Sequence, residues 1–354
     1  MKTISLFFSM MLLVICMGAC EGGPVVSKAT GSPGDLIVVM DKSAWEGPAG
    51  IAIKDLLSSD VPGLTQPEPV MDISYTEPQN FDRMLQIVRN IMIVEINPSM
   101  YTKAGMNYSQ DRWAKGQIIL KLQAPDAASL ELYITNNAKS ILDFFVKSEL
   151  NRTIETLDKT YSSYTYKKVK EIFDVELKAP ESMKFYKDTT NFFWASNNAA
   201  EGRRDMIIYS FPYTDNNTFT PEYLIAKRDS VLKANIPGSF ENSYMTTETR
   251  FGGVSFTPIT VKGKYCAEIR GLWKMVGDMM GGPFVSHARL DEANQRVIVV
   301  EGFVYAPEKD KRNIIRQVEA SLYTLKLPGE FDQPDEEPLQ AELVINIKKK
   351  WKKD

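Results

Sequence analysis

The stretch KYCAEIRGLWKMVGDMMGGPFVSHARLDEANQRVIVVEGFVY, residues 264–305, decides the fold class. Three runs within it, Lys264–Trp273, Phe284–Leu290 and Arg296–Tyr305, have strand composition, and Asp291-Glu-Ala-Asn294 between the last two has that of a hairpin turn. Strands that follow one another without an intervening helix pair antiparallel. The pattern extends upstream to Phe256–Val261 and Ser243–Arg250, then to Met206–Tyr209, Phe192-Phe193-Trp194 and Phe173–Leu177. Two helices interrupt it. One begins at Thr220, a capping residue followed by Pro221, and turns Leu224, Ile225, Val231 and Leu232 inward. The other closes the set from Asp310, with Ile315, Val318, Leu322 and Leu325 on one face.

The first half alternates more evenly. Leu36–Met40 is a continuous apolar run, which reads as a buried strand, and Gly47-Pro48 opens a helix with Ile53, Leu56 and Leu57 inside. Val70–Tyr75, Ile91–Val94 and Gln117–Gln123 read as further strands, and Pro78–Leu85 as a short helix. Asp126 caps the strongest helical pattern, in which Leu130, Tyr133, Ile134, Ile141, Leu142 and Phe145 recur over some twenty residues. These readings give an α+β protein of two units, 35–165 and 166–328. Each is expected to be a mainly antiparallel sheet with helices packed on one side.

The ends have a different character. Lys2, an apolar run from Ile4 to Ile15 and the small residues before Cys20 form a three-part secretory signal over 1–19, too short to span a membrane. Small residues directly before a cysteine resemble the lipobox of bacterial lipoproteins, and that likeness makes Cys20 the lipidated residue. Residues 20–34 read as a tether. The tail 329–354 is acidic, then basic. Lys348, Lys349, Lys350, Trp351, Lys352 and Lys353 form a candidate contact with an anionic membrane surface.

Composition narrows the chemistry. Among 354 residues, 44% apolar and 25% charged, there are one His and three Cys. Those proportions exclude disordered, collagen-like and coiled-coil proteins. Cys16 leaves with the signal and Cys20 becomes the anchor, so Cys266 is left unpaired and the mature monomer has no disulfide. Removing Lys2 and a tail of net +4 from a net charge of −3 leaves the body near −8, against nucleic-acid binding. A single His rules out HExxH-type zinc sites, and no phosphate loop, GxSxG elbow or calcium loop is present. His287 and Cys266 both sit in strand-like runs and read as structural. No metal, cofactor or catalytic residue is therefore expected.

Two segments read as candidate binding surfaces. Asp41 and Trp45 stand at the corner after the first strand. Trp273, Met275, Met279 and Met280 crowd between glycines in 271–283, read as an adaptable apolar loop. The runs GDLIVVMDKSAWEGPAG (34–50), EPQNFDRMLQIVRNIMIVEI (77–96) and VEGFVYAPEKDKRNIIRQVEASLYTLKL (300–327) resemble a domain-of-unknown-function family of Bacteroidota cell-envelope lipoproteins. The resemblance implies an outer-membrane-associated lipoprotein and carries no activity, ligand or catalytic residue with it. The expected role is a non-catalytic binding or structural component that meets an envelope protein or an apolar ligand. The rival reading is an envelope hydrolase using carboxylates that sequence does not locate.

Overall fold

The computed structural model describes residues 27–332 and Leu339, so the signal segment 1–19, Cys20 and the cluster Lys348–Lys353 lie outside the described residues. Two sheets organise the chain, and the α+β class is as expected. The first sheet runs β2-β1-β3-β5-β4, built from β1 (Asp35–Val39), β2 (Asp72–Thr76), β3 (Asn90–Ile96), β4 (Gly105–Gln110) and β5 (Ile118–Ala124). Its direction corrects the sequence reading. β1 lies parallel to β2 and β3, β3 is parallel to β5, and only β4 is antiparallel to its neighbour. Parallel neighbours need crossovers. α1 (Lys42–Glu46) and α2 (Pro48–Leu57) supply the first, and α3 (Arg83–Gln86) lies in the second. The unalternating run Leu36–Met40 is what such a strand requires, because both its faces are covered. Leu36, Val38 and Met40 pack with α2, α4 (Ala127–Asn136) and α5 (Ala138–Lys159), while Ile37 and Val39 meet Phe81, Leu85 and Trp113 on the opposite face.

The long helix after Asp126 is in fact two. The Asp126 carboxylate accepts the Ser129 N–H at 2.8 Å, as a cap should. Asn137 then breaks the helix, its side-chain amide donating to the Tyr133 carbonyl in competition with the backbone ladder. The expected tether also needs correcting where it is described. The amides of Ala29 and Thr30 bond to the Lys115 and Ile87 carbonyls at 2.9 and 2.8 Å, so the chain is fixed to the fold before Asp35.

The second sheet is antiparallel throughout, in the order β10-β11-β12-β13-β8-β7-β6. Its strands are β6 (Phe185–Thr189), β7 (Phe192–Ser196), β8 (Arg203–Pro212), β9 (Tyr244–Glu248), β10 (Ser255–Val261), β11 (Lys264–Val276), β12 (Gly281–Asp291) and β13 (Arg296–Tyr305). β11 is long enough to be shared: residues 264–270 pair with β10, and 272–276 with β9. Much of the segment 271–283 expected as a loop is therefore strand, because its apolar residues complete ladders on both sides. The helices do not keep to one side. α6 (Ser163–Phe173) and α8 (Arg312–Leu322) cover one face, and α7 (Pro221–Asn235) the other. Burying both faces explains why the strand runs are so continuously apolar.

Phe173–Leu177, read as a strand, is a helix end. Ser162 caps the Thr165 amide, Thr165, Val169 and Phe173 recur at i, i+4 on the buried face, and Asp174 turns left-handed at φ 49°. Only Glu176 then bridges, to Lys326. α8 joins the units. Ala320 packs with Leu150 and Leu157 of α5, and the Arg316 guanidinium donates to the Val70 carbonyl at 2.9 Å.

A candidate binding pocket in the second sheet

The pocket begins with strand periodicity. Side chains two apart on a strand share a face. Trp273 and Met275 on β11, Arg203 and Asp205 on β8, and Phe303 and Tyr305 on β13 form three such pairs that line one cavity of about 180 Å³. Trp194 of β7, Met245 of β9, Met280 at the β11–β12 turn and the segment Ile236–Ser239 after α7 complete the wall.

β12 lies between β11 and β13, yet it adds no side chain to this wall. It offers Gly281-Gly282, and the Trp273 indole reaches past those glycines to donate from Nε1 to the Val304 carbonyl at 3.2 Å. A Cβ on Gly282 would stand 2.0 Å from the Val304 oxygen and 3.2 Å from Trp273 Nε1. The glycine is therefore required by close approach. Its absence of a side chain lets the indole lie edge-to-face with Phe303, at 5.6 Å and 69°, and tilted against Tyr305.

One ion pair interrupts this apolar lining. Asp205 is fully buried. Its Oδ1 accepts Trp194 Nε1 at 2.9 Å, Arg203 Nε at 3.1 Å and Arg203 Nη2 at 3.0 Å. Burial pushes the carboxyl above its ordinary value, outweighing the Arg203 charge and the hydrogen bonds that lower it. The Arg203 guanidinium rests against the Trp194 ring, 5.5 Å from its centroid.

The structure divides the residues singled out from sequence. Trp273, Met275 and Met280 meet in the pocket. Met279 is fully exposed at the hairpin tip, beside Val276 and near the turn that carries exposed Phe240. Asp41 and Trp45 belong to the other unit. Trp45 stacks on Tyr75 at 4.6 Å and an interplanar angle of 1°, with Lys54 Nζ 4.1 Å above the ring. The Asp41 carbonyl accepts the Ala44 and Trp45 amides at the start of α1. Sequence reading missed Trp194, Arg203, Asp205, Met245, Phe303 and Tyr305. The available signal was the alternation within β8 and β13, but which strands would share a cavity is not written locally.

Cys266 and His287 lie on the opposite face of the sheet, under α8. His287 Nε2 meets Glu268 Oε2 at 3.2 Å, its ring stands edge-on to Tyr323, and Arg270 bridges Glu268 to Glu319. Burial pushes the Cys266 thiol up to about 12, so it stays protonated and is no nucleophile at neutral pH. Among the described residues no cluster of His, Cys, Asp and Glu could hold a metal ion, and no helix is long and apolar enough to cross a membrane.

Comparison with known families divides the chain at the same place as the two sheets. Residues 29–158 match a domain of unknown function, DUF8532, and residues 162–324 match another, DUF4837. The pocket lies wholly within the second. No curated protein matches the chain.

Proposed function

We propose that this chain is a lipid-anchored cell-envelope protein of the outer membrane that acts by binding, and that the pocket between β7, β8, β9, β11 and β13 is where it binds a small apolar ligand. The observation that carries this reading is the lining: four aromatic residues, three methionines and an isoleucine around about 180 Å³, with the half-buried Arg203 paired to Asp205, and Ser239, as the polar side chains. Few polar groups in a mainly apolar concavity is the usual make-up of a small-molecule site. A cavity of roughly 150 Å³ with apolar walls already accepts benzene. The exposed Met279 and Phe240 beside it suit a mouth that faces an apolar surface. A hydrolase of the two-carboxylate kind has less support, since Asp205 is the one acidic residue of the wall and Arg203 already occupies it.

Anchoring rests on the apolar run Ile4–Ile15 and the small residues before Cys20. Cys20→Ala is expected to abolish lipidation and release the chain from membranes; unchanged retention overturns the anchor. Toluene at millimolar concentration is expected to shift the methyl resonances of Met245, Met275 and Met280. Met245→Trp, which fills the cavity, is expected to remove those shifts. Absence of any shift in the unaltered chain refutes the binding reading.

A further inference from the structure

We infer that the ligand's apolar body carries one carboxylate, held by the outer end of the Arg203 guanidinium; the inference rests on the pocket being a binding site. The starting point is how Arg203 is fixed. Its Nε and Nη2 both donate to Asp205 Oδ1, at 3.1 and 3.0 Å, and the guanidinium lies against the Trp194 ring, 5.5 Å from its centroid. Asp205 is fully buried behind it and also receives Trp194 Nε1 and the Ser196 hydroxyl, so it is spent within the wall and open to no guest. Its part is to hold the guanidinium still. What this leaves over is the end of the fork. Nη1 has no acceptor among the described residues and is not enclosed, and the Arg203 side chain is 25% exposed where it lines the cavity. Nη1 and the second N–H of Nη2 form the pair of donors that a carboxylate meets bidentately.

Charge decides the kind of acceptor. Arg203 and Asp205 cancel, so a carboxylate added to that couple alone would leave the site with a net negative charge. A second cation answers it. Lys187 on β6 lies directly opposite Trp194 of β7. Its Nζ donates to the Asn235 carbonyl at 2.6 Å, at the end of α7 where the wall segment Ile236–Ser239 begins. No carboxylate pairs with Lys187 among the described residues. Arg203, Asp205 and Lys187 therefore leave one positive charge at this end of the pocket, and a monocarboxylate neutralises it. An ammonium would approach two cations in a site of low dielectric, and a neutral amide would leave the Lys187 charge unanswered. The remaining wall receives the apolar body. Trp273 and Phe303 stand edge-to-face and Tyr305 tilts beside them, while Met245, Met275 and Met280 supply an adaptable far side.

The test is calorimetric titration of the full chain at pH 7 with four probes of similar size: ethylbenzene, phenylacetamide, phenylacetate and 2-phenylethylamine. Phenylacetate is expected to bind tightest, about tenfold or more tighter than its neutral isostere phenylacetamide, the gain of charge-assisted over neutral hydrogen bonds. Its affinity should fall as salt is raised while that of ethylbenzene does not. Lys187→Gln, which can still donate to the Asn235 carbonyl, should weaken phenylacetate about threefold or more and leave ethylbenzene unchanged. Arg203→Lys keeps the charge but loses the fork and should cost phenylacetate about tenfold. The four-probe comparison on the unaltered chain stands by itself if that variant fails to fold. Phenylacetate binding no tighter than phenylacetamide or ethylbenzene overturns the carboxylate inference and leaves the pocket intact as a site. Tightest binding by 2-phenylethylamine overturns it too, and an unchanged phenylacetate affinity in Lys187→Gln overturns the charge balance on which it stands. No binding by any of the four overturns the pocket reading itself.

Discussion

Replacing Glu68 should loosen a helix that begins more than two hundred residues later. α8 opens at Arg312 with Lys311 as its N-cap, and no side chain of that neighbourhood caps it. Glu68, only 5% exposed, does so from the other unit. Its Oε1 accepts the Lys311 amide and its Oε2 the Arg312 amide, each at 2.7 Å. A helix leaves its first amides without partners and carries partial positive charge there, so a carboxylate is the best-matched acceptor. Hydrogen bonds to a charged group contribute about 1.5–3 kcal/mol each, and losing an N-cap costs about 0.5–2 kcal/mol. The two bonds share one side chain and are not additive, so Glu68→Ala is expected to cost about 2–4 kcal/mol. Glu68→Gln keeps one acceptor oxygen and turns an NH2 toward a donor; about 1–2 kcal/mol is expected. The control is Asp72→Ala. Asp72 also reaches into this junction, through the Arg312 guanidinium at 3.1 Å, but its side chain is half exposed and the loss should stay under about 1 kcal/mol. Urea unfolding followed by far-ultraviolet circular dichroism reads all three variants. Glu68→Ala within about 0.5 kcal/mol of the parent, or no worse than Asp72→Ala, would refute the cross-unit cap.

Three other outcomes are expected. Gly282→Ala drives a methyl into the Val304 carbonyl and displaces the Trp273 indole, so it should cost about 1–3 kcal/mol and alter the near-ultraviolet dichroism; unchanged spectra and stability would show the glycine to be incidental. Cys266, enclosed and held as a thiol, should resist 5,5′-dithiobis(2-nitrobenzoate) at pH 8 in the folded chain and react on denaturation; prompt reaction in the folded state contradicts the structure. Glu248 is held down to about 2 by Lys274 and the Arg250 amide, so its contribution to stability is present above its ordinary value of 4.5 and is lost as pH falls through about 2. Carboxyl titration by nuclear magnetic resonance should find that low value, and Lys274→Ala should raise it; an ordinary value in the parent removes the basis for the acid sensitivity.

The sequence by itself determined the elements whose causes are local. The hairpin at Asp291–Asn294, the strands from Phe256 to Tyr305, the Asp126 and Thr220 caps and the inward face of α8 are all written within a few residues of where they act. Burial of Cys266 followed from the strand-like run that holds it, whereas the complete burial of His287 came only with α8 packing over that face of the sheet. Tertiary structure alone decided the rest. Period-two alternation is the same for either strand direction, so the parallel course of β1, β2, β3 and β5 emerged only with the crossovers that α2 and α3 make. Phe173-Asp-Val-Glu-Leu alternates like a strand, yet its first residue is claimed by a helix whose other buried positions lie upstream. The pocket needs five strands in register, and β12 contributes to it through Gly282, where a side chain is missing. The N-terminus of α8 is capped by a carboxylate from the opposite half of the chain. Local spacing can specify what an element is; which distant residues it meets depends on how the elements pack.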